Sequence, residues 1–212
     1  MTARRAVIAT GIGGAGLLGV SLSSPPGSRR FYLLTMGLAG TWAAGALGSG
    51  PLSLGSPGQP DERCRAMVVP VLTGASAFGL FYGAARIARH IPVLDRAIGS
   101  ALRYEHDGST PVVLLTASAN ALAEELYFRG ALWALVEDSH PVIATTLAYA
   151  ATTAATRNPA LVLAGAATSV LFGLQRHTSG GILAPALSHL TWSLLMLRFL
   201  PPLFRPCGLP SA

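Results

Sequence analysis

Seven stretches of this chain contain no charged residue: 6–28, 31–60, 66–85, 108–123, 139–156, 158–175 and 177–197. A helix needs about 20 predominantly apolar residues to cross a bilayer, and most of these stretches reach that length or come close to it. The pattern predicts an all-α fold, a polytopic membrane helix bundle of about seven transmembrane helices. They are expected at roughly 6–24, 31–50, 66–86, 111–136, 140–156, 159–176 and 180–200. Gly, Pro and Ser mark residues 49–66 as a turn-rich loop. Residues 87–110 read as a polar connector whose middle, PVLDRAIGSAL, has apolar residues at near-helical spacing and fits the membrane surface. Three regions follow: 1–110, N-terminal helices and connector; 111–200, a helical core; and 201–212, a proline-broken, irregular tail.

The remaining charges support this reading. Charged residues make up 11% of the chain, against roughly 25% in soluble domains. All 15 basic residues are arginine, which, with the abundance of Ala and Gly, points to a GC-rich bacterial genome and a bacterial plasma membrane. The net charge of +6 comes with no basic cluster interleaved with aromatics, so nucleic acid is not an expected partner. Arginines beside apolar runs act instead as anchors on the cytoplasmic side. An N-out, C-in orientation places Arg29, Arg30, Arg86, Arg89, Arg96, Arg103, Arg157, Arg198 and Arg205 inside. It leaves Arg4, Arg5, Arg63, Arg65 and Arg176 outside, with Arg129 within a span. The first apolar stretch reads as an uncleaved span, since it is long and no A-x-A site follows. Cys64 and Cys207 show no metal spacing and are expected to be free thiols.

Within the fourth run the sequence LAEELYFRGAL, residues 122–132, sets two glutamates and an arginine near the middle of a helix. An ionisable residue there costs about 2.5–3.5 kcal/mol on the insertion scale. Glu125 and Arg129 are four residues apart with the acid first, the favourable order for a pair on one helical face. Glu124 is turned about 100° away and has no such partner within the helix. Two readings follow from this spacing: an ion pair with a second glutamate facing a wet cavity, or a free Glu124 acting as a general base. His189 stands halfway along the last run, at the depth of Glu124, with Ser193 one turn further on and Pro185 four residues before it. A hydrogen-bonded structural imidazole is the simpler account of His189, and a partner for the charge that develops in catalysis is the sharper one. His177 is expected at a surface turn, and His90, His106 and His140 carry no assignment. There is no H-E-x-x-H and no second well-placed histidine, so neither a metal nor a cofactor is implied.

The sequence EELYFRG, Glu124-Glu125-x-x-x-Arg129, resembles the first motif of the CPBP family, intramembrane glutamic proteases named for CaaX-prenyl endopeptidases and bacteriocin-processing proteins. TSGGILAPALSHLTWS is similar to that family's last motif region, T-G-x-x-x-x-P-x-x-x-H-x-x-x-N. The resemblance covers residues 111–200. It implies a helical membrane bundle in which Glu124 activates water, Arg129 holds Glu125, and His189 stabilises the oxyanion. The implied partners are the lipid bilayer and a membrane-associated peptide or protein substrate. Two positions depart from the pattern. The family's middle motif, F-x-x-x-H, falls on Tyr149 and Thr153, and Ser193 stands where the family has asparagine. These departures keep open a catalytically degenerate member that acts as a membrane binding or scaffold protein. A proton-coupled transporter is a third reading, weakened by the lack of an internal repeat.

Overall fold

A computed structural model describes residues 3–55, 60–106 and 108–204, without the side chains of residues 60–63 and 106. The described residues form helices and connections, with no strand among them. The helices are α1 (Ala3–Ser21), α2 (Arg29–Leu47), α3 (Pro60–Ala88), α4 (Pro92–His106), α5 (Thr110–Glu125), α6 (Leu132–Val136), α7 (Pro141–Ala154), α8 (Pro159–Ser179) and α9 (Leu183–Phe199). A π-helical stretch, Leu126–Ala131, joins α5 to α6, and a short 3-10 turn covers Pro201–Phe204. The rest of the expected irregular tail, including Cys207 and Arg205, lies outside the described residues. Cys64 is exposed and free.

Among the described residues, two helices, Cys64–Ala88 and Pro159–Ser179, are long and apolar enough to cross a membrane. That is fewer than the seven expected from the uncharged runs. The runs include connecting residues: Pro25, Pro26 and Gly27 lie between α1 and α2, and Gly48 caps α2. Helices α7 and α9 are left with 14 and 17 residues. Helix α3 begins at Pro60, inside the expected loop, because proline's fixed φ and missing donor suit a first helical position. The connector is itself helical, as α4. From α4, Tyr104 donates its hydroxyl to the carbonyls of Leu22 and Ser24.

Close backbone approach ties the bundle together. A Cβ on Gly14 would overlap the Trp42 indole, and one on Gly45 would meet Thr10, so glycine lets α1 lie directly on α2. Gly74 does the same where α3 meets α9, beside the carbonyl of Ser188. Small residues at such crossings allow the close packing that holds helices together where lipid replaces water. Helix α8 starts at Asn158, whose Oδ1 accepts from the amides of Ala160 and Leu161 at 3.0 and 3.2 Å. The Asn158 Nδ2 donates to Ala97 of α4 at 2.8 Å. One side chain thus caps α8 and fixes the connector against it.

The apolar core lies between α1, α2 and the outer face of α5. Trp42 meets Phe128 edge-on with ring centroids 5.3 Å apart, and the Tyr127 hydroxyl donates to the carbonyl of Val7 at 2.8 Å. This packing fixes the rotation of the glutamate-bearing helix. Tyr127 and Phe128 are buried in the core, while the preceding turn is turned toward α7, α8 and α9.

Candidate active site

Glu124 and Glu125 close α5 immediately before the π-helical stretch. Single π turns within α-helices are found frequently at functional sites. Here the stretch carries Arg129, which is completely buried, as is Glu125. Arg129 Nη1 donates to Glu125 Oε1 at 3.2 Å. Its Nη2 reaches across to α8, donating to the Ser169 carbonyl at 3.0 Å and the Ser169 hydroxyl at 2.8 Å. The guanidinium also lies over the rings of Phe128, Tyr149 and Phe172, between 5.5 and 6.0 Å from their centroids. A buried charge needs both an opposite charge and hydrogen bonds, and Arg129 has them.

His189, on α9, enters the same cluster from the far side. Its Nδ1 lies 2.8 Å from Glu125 Oε1. A carboxylate can only accept there, so Nδ1 carries the proton. The Nε2 then lies 3.9 Å from Glu124 Oε2, too far for a direct hydrogen bond and close enough for the two side chains to meet one small molecule. Phe172 stacks on the imidazole with centroids 4.8 Å apart. The structure therefore brings Glu124, Glu125, Arg129 and His189 into one cluster built from α5, the π stretch, α8 and α9.

Glu124 is placed differently from its neighbour. Its side chain keeps 14% of its surface accessible, where Glu125 keeps none. The Tyr149 hydroxyl, from α7, donates to Glu124 Oε2 at 2.5 Å. Thr153, at the position where the family motif has histidine, is buried and donates back to the Tyr149 carbonyl at 2.8 Å. Its hydroxyl is thus occupied within its own helix. Ser193 is half-buried and makes no hydrogen bond to either glutamate or to His189. Pro185 is buried in the first turn of α9, so it leaves the helix around His189 intact. His177 is exposed. Among the described residues, no group of three or more His, Cys, Asp or Glu side chains is arranged to hold a metal.

Residues 107–195 match the Type II CAAX prenyl endopeptidase Rce1-like family. This segment is similar to that family. It holds every residue of the cluster and somewhat under half of the chain. No curated protein and no solved structure matches.

The matched segment shares a cavity of about 730 Å³ with the N-terminal helices, and Glu124 lies in its wall. Most of the lining is aliphatic, including Leu18, Leu38, Leu80, Ile98, Leu161 and Met196. Three helices preceding the segment, together with α4, build much of it. Asn120, one turn before Glu124, and Trp192, one turn after His189, also line it. Among the described residues of that lining, the buried Asn120 Oδ1 and Trp192 Nε1 have no hydrogen-bond partner.

The sequence reading missed four contributors. Tyr149 counted only as the aromatic of a broken motif, and Ser169 carried no signal at all. Trp192 stood in the quoted motif without a role. Arg176 was expected outside the membrane as an anchor. It is instead buried, with Nε donating to the Arg129 carbonyl at 2.8 Å and its guanidinium over Trp133. An arginine in a solvated turn and one folded back under its helix look alike in a count of charges. The short separation of Arg176 from Phe172, one helical turn, was the only hint of a shared face.

Proposed function

We propose that this protein is an intramembrane endopeptidase in which Glu124 activates water to hydrolyse a peptide bond of a membrane-associated substrate. The Rce1-like match supports membrane proteolysis as the activity class. The contrast between the two adjacent carboxylates supports the mechanism: Glu125 is enclosed by Arg129 and His189, while Glu124 borders the cavity.

In this reading Glu124 takes a proton from water as the water oxygen bonds to the scissile carbonyl carbon. The carbonyl π electrons move to oxygen. His189 is held by Glu125 through Nδ1–H, and in its doubly protonated form it presents an N–H at Nε2 to the oxyanion. The tetrahedral intermediate then collapses, the C–N bond breaks, and Glu124 returns its proton to the departing amine. A general base typically contributes about 10²- to 10⁴-fold in rate, and loss of one oxyanion donor costs about 10²- to 10³-fold.

A seven-span bundle in a bacterial plasma membrane, oriented N-out, remains our reading of the whole chain. It is supported by large apolar side chains turned outward on several helices, among them Ile12, Leu33, Leu47, Ile87 and Leu147, each more than 60% exposed. Exposed apolar surface of that extent marks contact with lipid or a partner. A non-catalytic role as a peptide-binding membrane protein is the second reading, favoured by Thr153, whose hydroxyl is turned back on its own helix.

The test is cleavage of membrane-anchored reporter peptides by purified protein in liposomes, with chelator present. Wild type should cleave and His189→Ala should be slowed about 100-fold or more. A folded wild type that cleaves no member of a broad peptide library would favour the binding protein.

A further inference from the structure

The Glu124 carboxylate receives a hydrogen bond from one group among the described residues, the Tyr149 hydroxyl. We infer that Tyr149 is the positioning residue of the reaction, clamping Glu124 Oε2 so that Oε1 is left to take the proton from water. This rests on the reading of Glu124 as the base.

The observation is geometric. The Tyr149 hydroxyl donates to Glu124 Oε2, and a hydroxyl donating to a carboxylate makes a charge-assisted hydrogen bond. The ring that carries the hydroxyl is held on several sides. It meets Phe128 edge-on with centroids 4.8 Å apart, and the Arg129 guanidinium lies 5.5 Å from its centroid. Across the α7–α8 interface Gly165 leaves room for it: a Cβ there would sit 2.8 Å from Tyr149 Cε1. The backbone is steadied as well, since Thr153 donates to the Tyr149 carbonyl. His189 Nε2, at 3.9 Å, is too far to provide this hydrogen bond itself.

A carboxylate beside an apolar cavity would otherwise be free to turn about its terminal bond. A donor fixed to one oxygen stops that rotation and leaves the other oxygen with its acceptor sites unfilled. The phenol keeps its proton throughout and donates without transferring, so proton balance stays between water, Glu124 and the leaving amine. The hydroxyl sits one helical turn before Thr153 and meets the base from the helix where the family motif has its histidine. A tyrosine thereby gives the site a donor to the base that Thr153 does not.

The test compares wild type, Tyr149→Phe, Glu124→Gln and the double variant in liposomes. Tyr149→Phe should lower kcat about 10- to 100-fold, part of the range open to a positioned base, with KM and melting temperature unchanged. It should have no further effect on Glu124→Gln. An infrared difference spectrum, wild type minus Glu124→Gln, isolates the Glu124 carboxyl band whether or not the protein turns over. In the Tyr149→Phe background that band should move. A band that stays in place, or an unchanged kcat beside an inactive Glu124→Gln, would overturn the role of Tyr149 while leaving the base intact. Full activity in Glu124→Gln would reject the base itself, and the infrared band would still decide whether the clamp exists.

Discussion

On one side of the paired glutamates lies a closed polar cluster, and on the other an aliphatic cavity of about 730 Å³. In the cluster, Glu125 Oε1 meets both Arg129 and His189, Arg129 is anchored to Ser169, and Phe172 covers the imidazole. In the cavity wall, Glu124 has one donor, Tyr149, and keeps some exposed surface. Two identical side chains, adjacent in sequence, are given opposite surroundings by a 100° turn of the helix. In the proposed reading the closed side holds the geometry rigid, and the open side leaves a carboxylate where a substrate can reach it. Such a division predicts that damage to Glu125, Arg129 or Ser169 is felt mainly in folding, whereas damage to Glu124 or to the Nε2 side of His189 is felt in turnover.

The largest effect should come from Arg129→Ala, which leaves Glu125 buried and without its cation. Breaking one member of a buried pair typically costs about 3–5 kcal/mol, so folded protein in the membrane should fall sharply. Replacing both members, as Glu125→Gln with Arg129→Gln, should restore much of the melting temperature in detergent. Normal accumulation of Arg129→Ala would break the contrast at its closed side.

Gly165→Ala should come next. The added methyl would press on the Tyr149 ring and lie 3.2 Å from the Thr153 hydroxyl. Overpacking of this kind costs about 1–3 kcal/mol, and it should also lift Tyr149 from Glu124. Turnover is therefore expected to fall by more than the lost stability explains, as measured by initial rates normalised to folded protein. Ser169→Ala removes one acceptor from Arg129 but leaves the Ser169 carbonyl in place, so about 1–2 kcal/mol should be lost. Its rate per folded molecule should be unchanged, which would sharpen the division between cluster and cavity. Thr153→His, which introduces the motif's histidine beside Tyr149, should have the smallest effect, a gain in turnover of a few-fold. A loss in that variant would show that Tyr149 and a histidine compete for the same carboxylate.

The parts of the site visible in the sequence were those set by local periodicity. Glu125 and Arg129 are i and i+4 on one helix, and the depth of His189 along its run could be counted. Tyr149, Ser169 and Arg176 could not be read in this way, because each gains its role from a partner on another helix. Their contacts join residues 25, 40 and 47 positions apart. The helical class was overt in the charge pattern, but the number and lengths of the helices were not. Turn residues such as Gly27 and Gly48 carry no charge and therefore vanish into an apolar run. The role of α4 was hidden for a related reason. Its apolar face suggested a membrane surface, and that face lines the cavity through Leu94, Ile98 and Leu102.

The most direct test of the division sets Glu124→Gln beside Glu125→Gln in the same liposomes, with melting temperature and reporter cleavage measured on each. Glu124→Gln should keep or raise the melting temperature, since it removes a largely buried charge that no arginine pairs with, and should lose cleavage by about 10²-fold or more. Glu125→Gln should melt earlier, because Arg129 and His189 both lose their anionic partner. If Glu124→Gln instead cleaves like wild type, or the two variants change stability and turnover alike, the separation of a structural from a reactive glutamate is contradicted.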